Sequence, residues 1–336
     1  MLLLSTGTQL REVDIELNQK NPLNRENACT VITSLARCEE RRLQKIRVHF
    51  TTENPLFFQG MEFLYCLAEL FGPPDPKIEM MHTLTSVDLS GLSITLDDIL
   101  FNLLANHHNE TLQSLNLQNS PLCCRVSPEC ILNLAKSCRK LTSLSMHYKS
   151  MSGELLEAFS EPNRAPLQVL SLACRREEKY HKAIPSSAWE KFVVKLPELR
   201  VYFYFDHTIE RHRIPMILHP GIPVVELCLR TLTELNEEVA LSAAYYSETL
   251  EHFVITTKGT KSLQQALLNL VEASNKLREL HCYCALDDDT ILRVKELRPQ
   301  LEKYTLKTAD EFNAMMPSLI GREAQNVAQE QQIVNN

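Results

Sequence analysis

The residues best equipped for chemistry stand in one short run, His281-Cys282-Tyr283-Cys284, which places an imidazole and two thiols within four positions. Those are zinc-ligand types. On an extended strand, however, Cys282 and Cys284 share one face while His281 points from the other, so the three cannot converge on one ion without distortion. The adjacent pair Cys123-Cys124 is no better placed, because neighbouring residues seldom ligate one ion or bond each other. His107-His108 and Tyr180-His181 offer none of the spacings that a nucleophile and its base use. No His-Glu-x-x-His or Cys-x-x-Cys occurs, and eight glycines in the whole chain assemble no phosphate-cradling loop. The expectation is a protein without catalytic residues, without a metal and without a cofactor.

The elements that would position these side chains are written in leucine. Eleven times an apolar residue opens the pattern apolar-x-x-apolar-x-apolar: at Leu10, Leu43, Leu84, Leu112, Leu141, Leu167, Leu199, Val224, Leu250, Leu277 and Leu301, with successive starts 24 to 41 residues apart. Most intervals match the leucine-rich repeat, in which a strand is followed by a loop and a helix. The predicted fold class is therefore α/β, a leucine-rich-repeat solenoid (horseshoe) with parallel strands on the concave face and helices on the convex face. Residues 1–308 hold the array of about eleven irregular repeats. Residues 309–336 are expected to be a terminal helix and a flexible tail rich in Gln and Asn.

Local signals support the helices. Ser127-Pro128-Glu129 reads as N-cap, first-turn proline and first-turn acid. Ser187 with Glu190, and Ser262 with Gln265, have capping-box spacing. The ladder of asparagines that closes the turns of regular leucine-rich repeats is missing: only Asn18 holds that place, and residues such as Leu92, Lys149, Arg175 and Ala285 stand elsewhere. Each turn must then satisfy its backbone groups by itself. The strand after Leu199 is open to two readings, since LRVYFYF could bury Tyr202 and Tyr204 or Val201, Phe203 and Phe205, and a one-residue slip exchanges the sets.

Composition narrows the function. With 42 acidic against 35 basic residues the net charge is −7, so no global basic field would hold nucleic acid. No window approaches 18 uninterrupted apolar residues, so no membrane span is expected. The eleven cysteines are odd in number and dispersed, a usage that suits a reducing compartment and predicts a cytoplasmic or nuclear protein. A solenoid holds other proteins, and the residues between the buried strand positions are the ones turned outward. Arg47, His49, Asp88, Asn116, Ser145, His147, Arg230, Glu279 and His281 are the expected partner-binding residues.

Loops as well as leucines carry a resemblance to a known family. Glu53-Asn54-Pro55-Leu56-Phe57, Thr95-Leu96-Asp97-Asp98, Arg164-Ala165-Pro166-Leu167, Leu277 to Cys284 and Tyr304-Thr305-Leu306-Lys307 together resemble F-box/leucine-rich-repeat proteins over about residues 8 to 308. The resemblance implies a substrate-recognition subunit of a Skp–cullin–F-box ubiquitin ligase, whose repeats hold a protein substrate. The resemblance does not extend to an F-box. Repeat one already begins at Leu10, and Leu196-Pro197-Glu198 ends a repeat helix instead of opening an F-box. The expectation is that the chain binds substrate, and that Skp-type adaptor and cullin join only where a longer form supplies an F-box. The alternative reading is a free-standing leucine-rich-repeat scaffold or inhibitor.

Overall fold

The computed structural model describes residues 10–17, 22–38, 42–50, 61–73, 83–119, 125–176 and 183–314. Asn18, the segment 53–57, Cys123-Cys124, Tyr180-His181, the residues before Leu10 and most of the terminal segment lie outside them. The chain divides into two units, with the boundary after Leu167.

In the first unit strands and helices alternate: β1 (Glu12–Leu17), α1 (Pro22–Ala36), β2 (Lys45–Phe50), α2 (Met61–Phe71), β3 (Ser86–Asp88), α3 (Asp98–His107), β4 (Ser114–Asn116), α4 (Pro128–Ser137), β5 (Ser143–His147) and α5 (Gly153–Phe159). The second repeats the scheme with β6 (Val169–Cys174), α6 (Ser186–Lys195), β7 (Arg200–Phe205), α7 (Ile214–Ile217), β8 (Val224–Leu229), α8 (Asn236–Tyr246), β9 (His252–Thr256), α9 (Lys261–Ala273), β10 (Glu279–Ala285), α10 (Asp288–Leu297) and β11 (Lys303–Lys307). Within each unit every strand pairs in parallel with the next in sequence order. Most successive helices pack on one another. This is the leucine-rich-repeat arrangement that the periodicity predicts. Residues 309–314 are helical. Among the described residues no helix is long and apolar enough to cross a membrane.

The repeating apolar positions make the core. Leu84, Val87 and Leu89, then Leu112, Leu115 and Leu117, then Leu141, Leu144 and Met146 are all fully buried, and so are Leu170 and Leu172. In β7 the structure chooses between the two readings: Val201, Phe203 and Phe205 are buried, with Tyr202 and Tyr204 turned outward. Burying three wholly apolar side chains avoids having to satisfy two phenolic hydroxyls in the core.

Side chains at fixed places lock repeat to repeat. The residue before the opening leucine is threonine in three repeats, and each hydroxyl donates to the opening residue's carbonyl one repeat earlier: Thr83 to Leu43 at 2.6 Å, Thr111 to Leu84 at 2.8 Å and Thr249 to Val224 at 2.8 Å. Arg164 and Arg298 close helix ends. Arg164 donates to the carbonyls of Ala135 and Cys138 at the end of α4, with its guanidinium 4.5 Å above the Phe159 ring. Arg298 does the same for Glu272 and Ser274 at the end of α9. Both satisfy carbonyls that a helix terminus leaves without a partner.

The caps agree with sequence in part. Ser127 accepts from the Cys130 N–H, as expected, and its own N–H and hydroxyl donate to Asp98 at 2.7 Å, which ties α4 to α3. Ser187 does not cap α6: the helix starts one residue earlier, behind Pro185, with no side-chain cap. Ser262 does not cap α9 either, because Thr260 two residues upstream accepts from the Leu263 N–H. The turns after several strands are closed locally. The carboxylate of Asp88 accepts from the Ser90 N–H, the amide oxygen of Asn116 from the Gln118 N–H, and Asp206 from the Thr208 N–H. These Asx turns do the work that a shared asparagine ladder does in regular repeats.

Candidate protein-binding face

The outward side chains of the strands form rows, because paired parallel strands place equivalent residues side by side. In the first unit one row runs Asp14, Arg47, Asp88, Asn116, Ser145 across five strands. Four of these are residues the sequence singles out, and the register brings them together. His49 stands beside them on β2, with Nδ1 3.1 Å from an Asp14 oxygen. Arg47 lies between Asp14 at 3.8 Å and Asp88 at 3.5 Å, and Lys45 meets Glu12 at 2.6 Å. Exposed pairs of this kind add little stability. Their effect is to engage the charged members of the row with one another, and Asn116 and Ser145 continue it without charge.

His147 is a correction. Alternation along β5 would turn it outward, yet it is buried, as are Met146 and Tyr148 on either side. The strand ends at His147 and passes directly into a 3₁₀ turn over Tyr148–Ser150, so the period of two has already lapsed there. It offers no surface to a partner.

The second unit presents a different face. One row reads Tyr202, Glu226, His252, Glu279, Lys303, and the next reads Tyr204, Cys228, Val254, His281, Thr305. Arg230 follows Leu229, whose β9 partner is Ile255, and so falls beside Thr256 and Tyr283 in a third row. The sequence-selected Arg230, Glu279 and His281 thus share one patch, while Arg47, His49, Asp88, Asn116 and Ser145 belong to the first unit.

The first row is bonded throughout. Glu279 accepts from Lys303 Nζ at 2.6 Å and lies 3.2 Å from His252 Nδ1, and these contacts hold its pKa below the ordinary carboxylate value. Arg200 grips Glu251 with two bonds of 3.2 and 3.0 Å and donates to the Tyr202 hydroxyl at 3.2 Å. Burial, with the Glu226 carboxylate beside it, pushes the Tyr204 hydroxyl well up. His281 is bonded through Nδ1 to Thr305 Oγ1 at 2.9 Å and stacks on the Tyr283 ring. Burial lowers its pKa, so the ring is neutral at pH 7. The face is consequently fixed in geometry before anything binds, with Tyr, His and Arg groups on paired strands. Tyr202, Tyr204, His252 and Lys303 are not among the residues that the sequence singles out. The two tyrosines were hidden by the register ambiguity, and the other two gain their meaning only from Glu279 across the strand.

Ser186 Oγ lies 3.0 Å from His219 Nδ1, a hydroxyl–imidazole contact like that of Thr305 with His281. Among the described residues neither ring is held by a carboxylate, and burial lowers the pKa of His219 as well. Cys282 and Cys284 are buried on the side of β10 opposite His281. Burial raises Cys284 to about 11 and Cys282 well above its usual value. Iodoacetamide at pH 8 is therefore expected to label these two thiols at least about a hundredfold more slowly in the native protein than in urea, because only thiolate reacts. Mass spectrometry of timed digests checks this, and fast native labelling of either would contradict their packing.

Comparison with known proteins agrees with this architecture. The chain is 30% identical over 279 residues to human (Homo sapiens) F-box/LRR-repeat protein 8, covering 83% of this chain and 72% of that protein. It is 29% identical over 312 residues to the mouse (Mus musculus) F-box/LRR-repeat protein 8, covering 93% and 81%. Sheep (Ovis aries) F-box/LRR-repeat protein 21 is 26% identical over 189 residues, covering 54% and 39%. A solved leucine-rich-repeat-containing protein, LegL7 from Legionella pneumophila, overlays 92% of this chain and 88% of its own with a TM-score of 0.40 and 14% identity, a likeness too loose to bear on function. No family model matches.

Proposed function

As the chain belongs to the F-box/LRR-repeat protein family, we propose that it recognises protein substrates for a Skp–cullin–F-box ubiquitin ligase, holding them on the outward face of its strands. The observation that carries this reading is the second unit's patch: Arg200, Tyr202, Tyr204, Arg230, His281 and Tyr283 crowd onto adjacent paired strands. Tyr and Arg dominate binding energy at protein interfaces, since they join large apolar area to a polar tip at small entropic cost. Held by paired strands and mutual hydrogen bonds, they lose little freedom on binding. The role needs no catalytic residue of its own, because ubiquitin is transferred by other members of the complex.

The test joins the chain to an F-box segment and reconstitutes it with Skp-type adaptor, cullin and ubiquitin-transfer enzymes. Proteins captured by the chain should receive ubiquitin. The double variant Tyr202→Ala, Tyr283→Ala should capture them at least about tenfold more weakly, with a melting temperature lowered by no more than about 4 °C. Undiminished ubiquitination by that variant would place recognition elsewhere on the molecule.

A further inference from the structure

Leu232 combines two unfavourable features. Its φ is +59°, in the left-handed region that a leucine side chain resists, and half of its side chain is in water. Neither is an accident of a loose loop. The Leu232 N–H donates to the Thr256 carbonyl at 3.2 Å, Thr231 and Thr233 share a hydroxyl contact at 2.9 Å, and the Thr257 hydroxyl donates to the Thr233 carbonyl. Three bonds fix a three-residue turn in a conformation that asparagine or glycine would adopt freely. A strained residue persists only where its surroundings over-determine it, and such residues gather at sites of function.

Two exposed cations stand near this turn. Arg230, two residues earlier, is exposed with its guanidinium against the Cys228 thiol, and exposed Lys258 lies two residues beyond the Thr256 that holds Leu232; among the described residues neither joins an ion pair. The nearest acid in the turn, Glu234, lies in the field of Arg211. Farther along the face, Glu279 is already engaged by Lys303 and His252.

We propose that Leu232, flanked by Arg230 and Lys258, is the anchor of the partner site, and that it receives an acidic protein segment in which apolar residues alternate with carboxylates. The apolar residue packs on the projecting leucine, and a carboxylate meets the Arg230 guanidinium. This rests on the reading that partners are held on the second unit's strand face, and it names both the contact that selects them and their chemistry. His281, with Arg230, Lys303, His252 and Glu279 around it, lies along the path of such a segment. Bound carboxylate favours its protonated form, so affinity should rise as the pH falls from 8 to 6.

The full chain is titrated by fluorescence anisotropy with a labelled dodecapeptide of alternating Leu and Glu, and with its Leu–Lys counterpart. The acidic peptide should bind at least about tenfold tighter, and Arg230→Glu should abolish that preference. Leu232→Asn is the decisive variant: it should raise Tm by about 2–4 °C as the strain is relieved, yet weaken the acidic peptide about tenfold. A lower Tm, or unchanged affinity, overturns the proposal. If Leu232→Asn and Arg230→Glu leave binding intact while the Tyr202→Ala, Tyr283→Ala variant loses it, the anchor is wrong and the face reading stands. If none of the variants changes binding of the peptide or of a substrate, both fall.

Discussion

Phe203→Ala is expected to remove about 3–5 kcal/mol of folding free energy, the cost of a large void in a packed core. Phe203 is fully buried on β7 and stacks on Phe205 with ring centroids 5.8 Å apart. The neighbouring change, Tyr202→Ala, lies on the opposite face of the same strand and should cost about 1 kcal/mol or less. Urea denaturation of both variants reads the difference directly. Because the strand sequence permits either set to face inward, the ratio of the two losses is a test of register. Comparable losses would mean that β7 is slipped by one residue, and the tyrosine patch would then dissolve with it.

Arg211→Ala should be nearly as damaging, at about 3 kcal/mol, although its own side chain is a third exposed. The reason is its partner. Glu238, in the first turn of α8, has a side chain only 1% exposed, and Arg211 binds it through Nε at 3.0 Å and Nη2 at 3.4 Å. Removing the guanidinium leaves a carboxylate out of water without a countercharge. Thermal and urea unfolding at pH 7 should show the gap from the parent protein directly. Arg211→Lys, which keeps the charge without the two-pronged grip, should recover part of the loss. A small gap would show that Glu238 has another source of compensation.

Much of the fold is legible in the chain because leucine spacing is a strong signal repeated many times. Leu84, Leu112 and Leu141 each open a strand and are each fully buried. What failed was local. Ser187 and Ser262 have the capping spacing, but Pro185 and Thr260 lie just upstream and set earlier starts. His147 obeys the alternation on paper and is buried because its strand has run out. The proposed binding face is less legible in the sequence for a physical reason. Alternation says which side chains point outward, but not which of them neutralise each other. Arg47 and Asp88 look like available charges in sequence, whereas in the structure they are bonded to one another. Arg230 looks the same in sequence and is exposed, with no carboxylate bonded to it among the described residues. The strain at Leu232 leaves no trace in the sequence at all, since nothing about a leucine announces a positive φ.

The Asx turns at Asp88, Asn116 and Asp206 have a bearing on how such a chain tolerates change. Each bond closes within two residues of its own strand, so it depends on no residue in the next copy. A segment grafted between such a turn and the following helix leaves that bond intact, and its main penalty is the entropy of closing a longer loop, about 0.6 kcal/mol for each doubling of length. The three repeats that carry these turns have starts 28, 29 and 25 residues before the next one, so the same local bond serves repeats of different length. It also marks the loops as the natural places to splice in a fluorescent tag or a new recognition segment without disturbing the core.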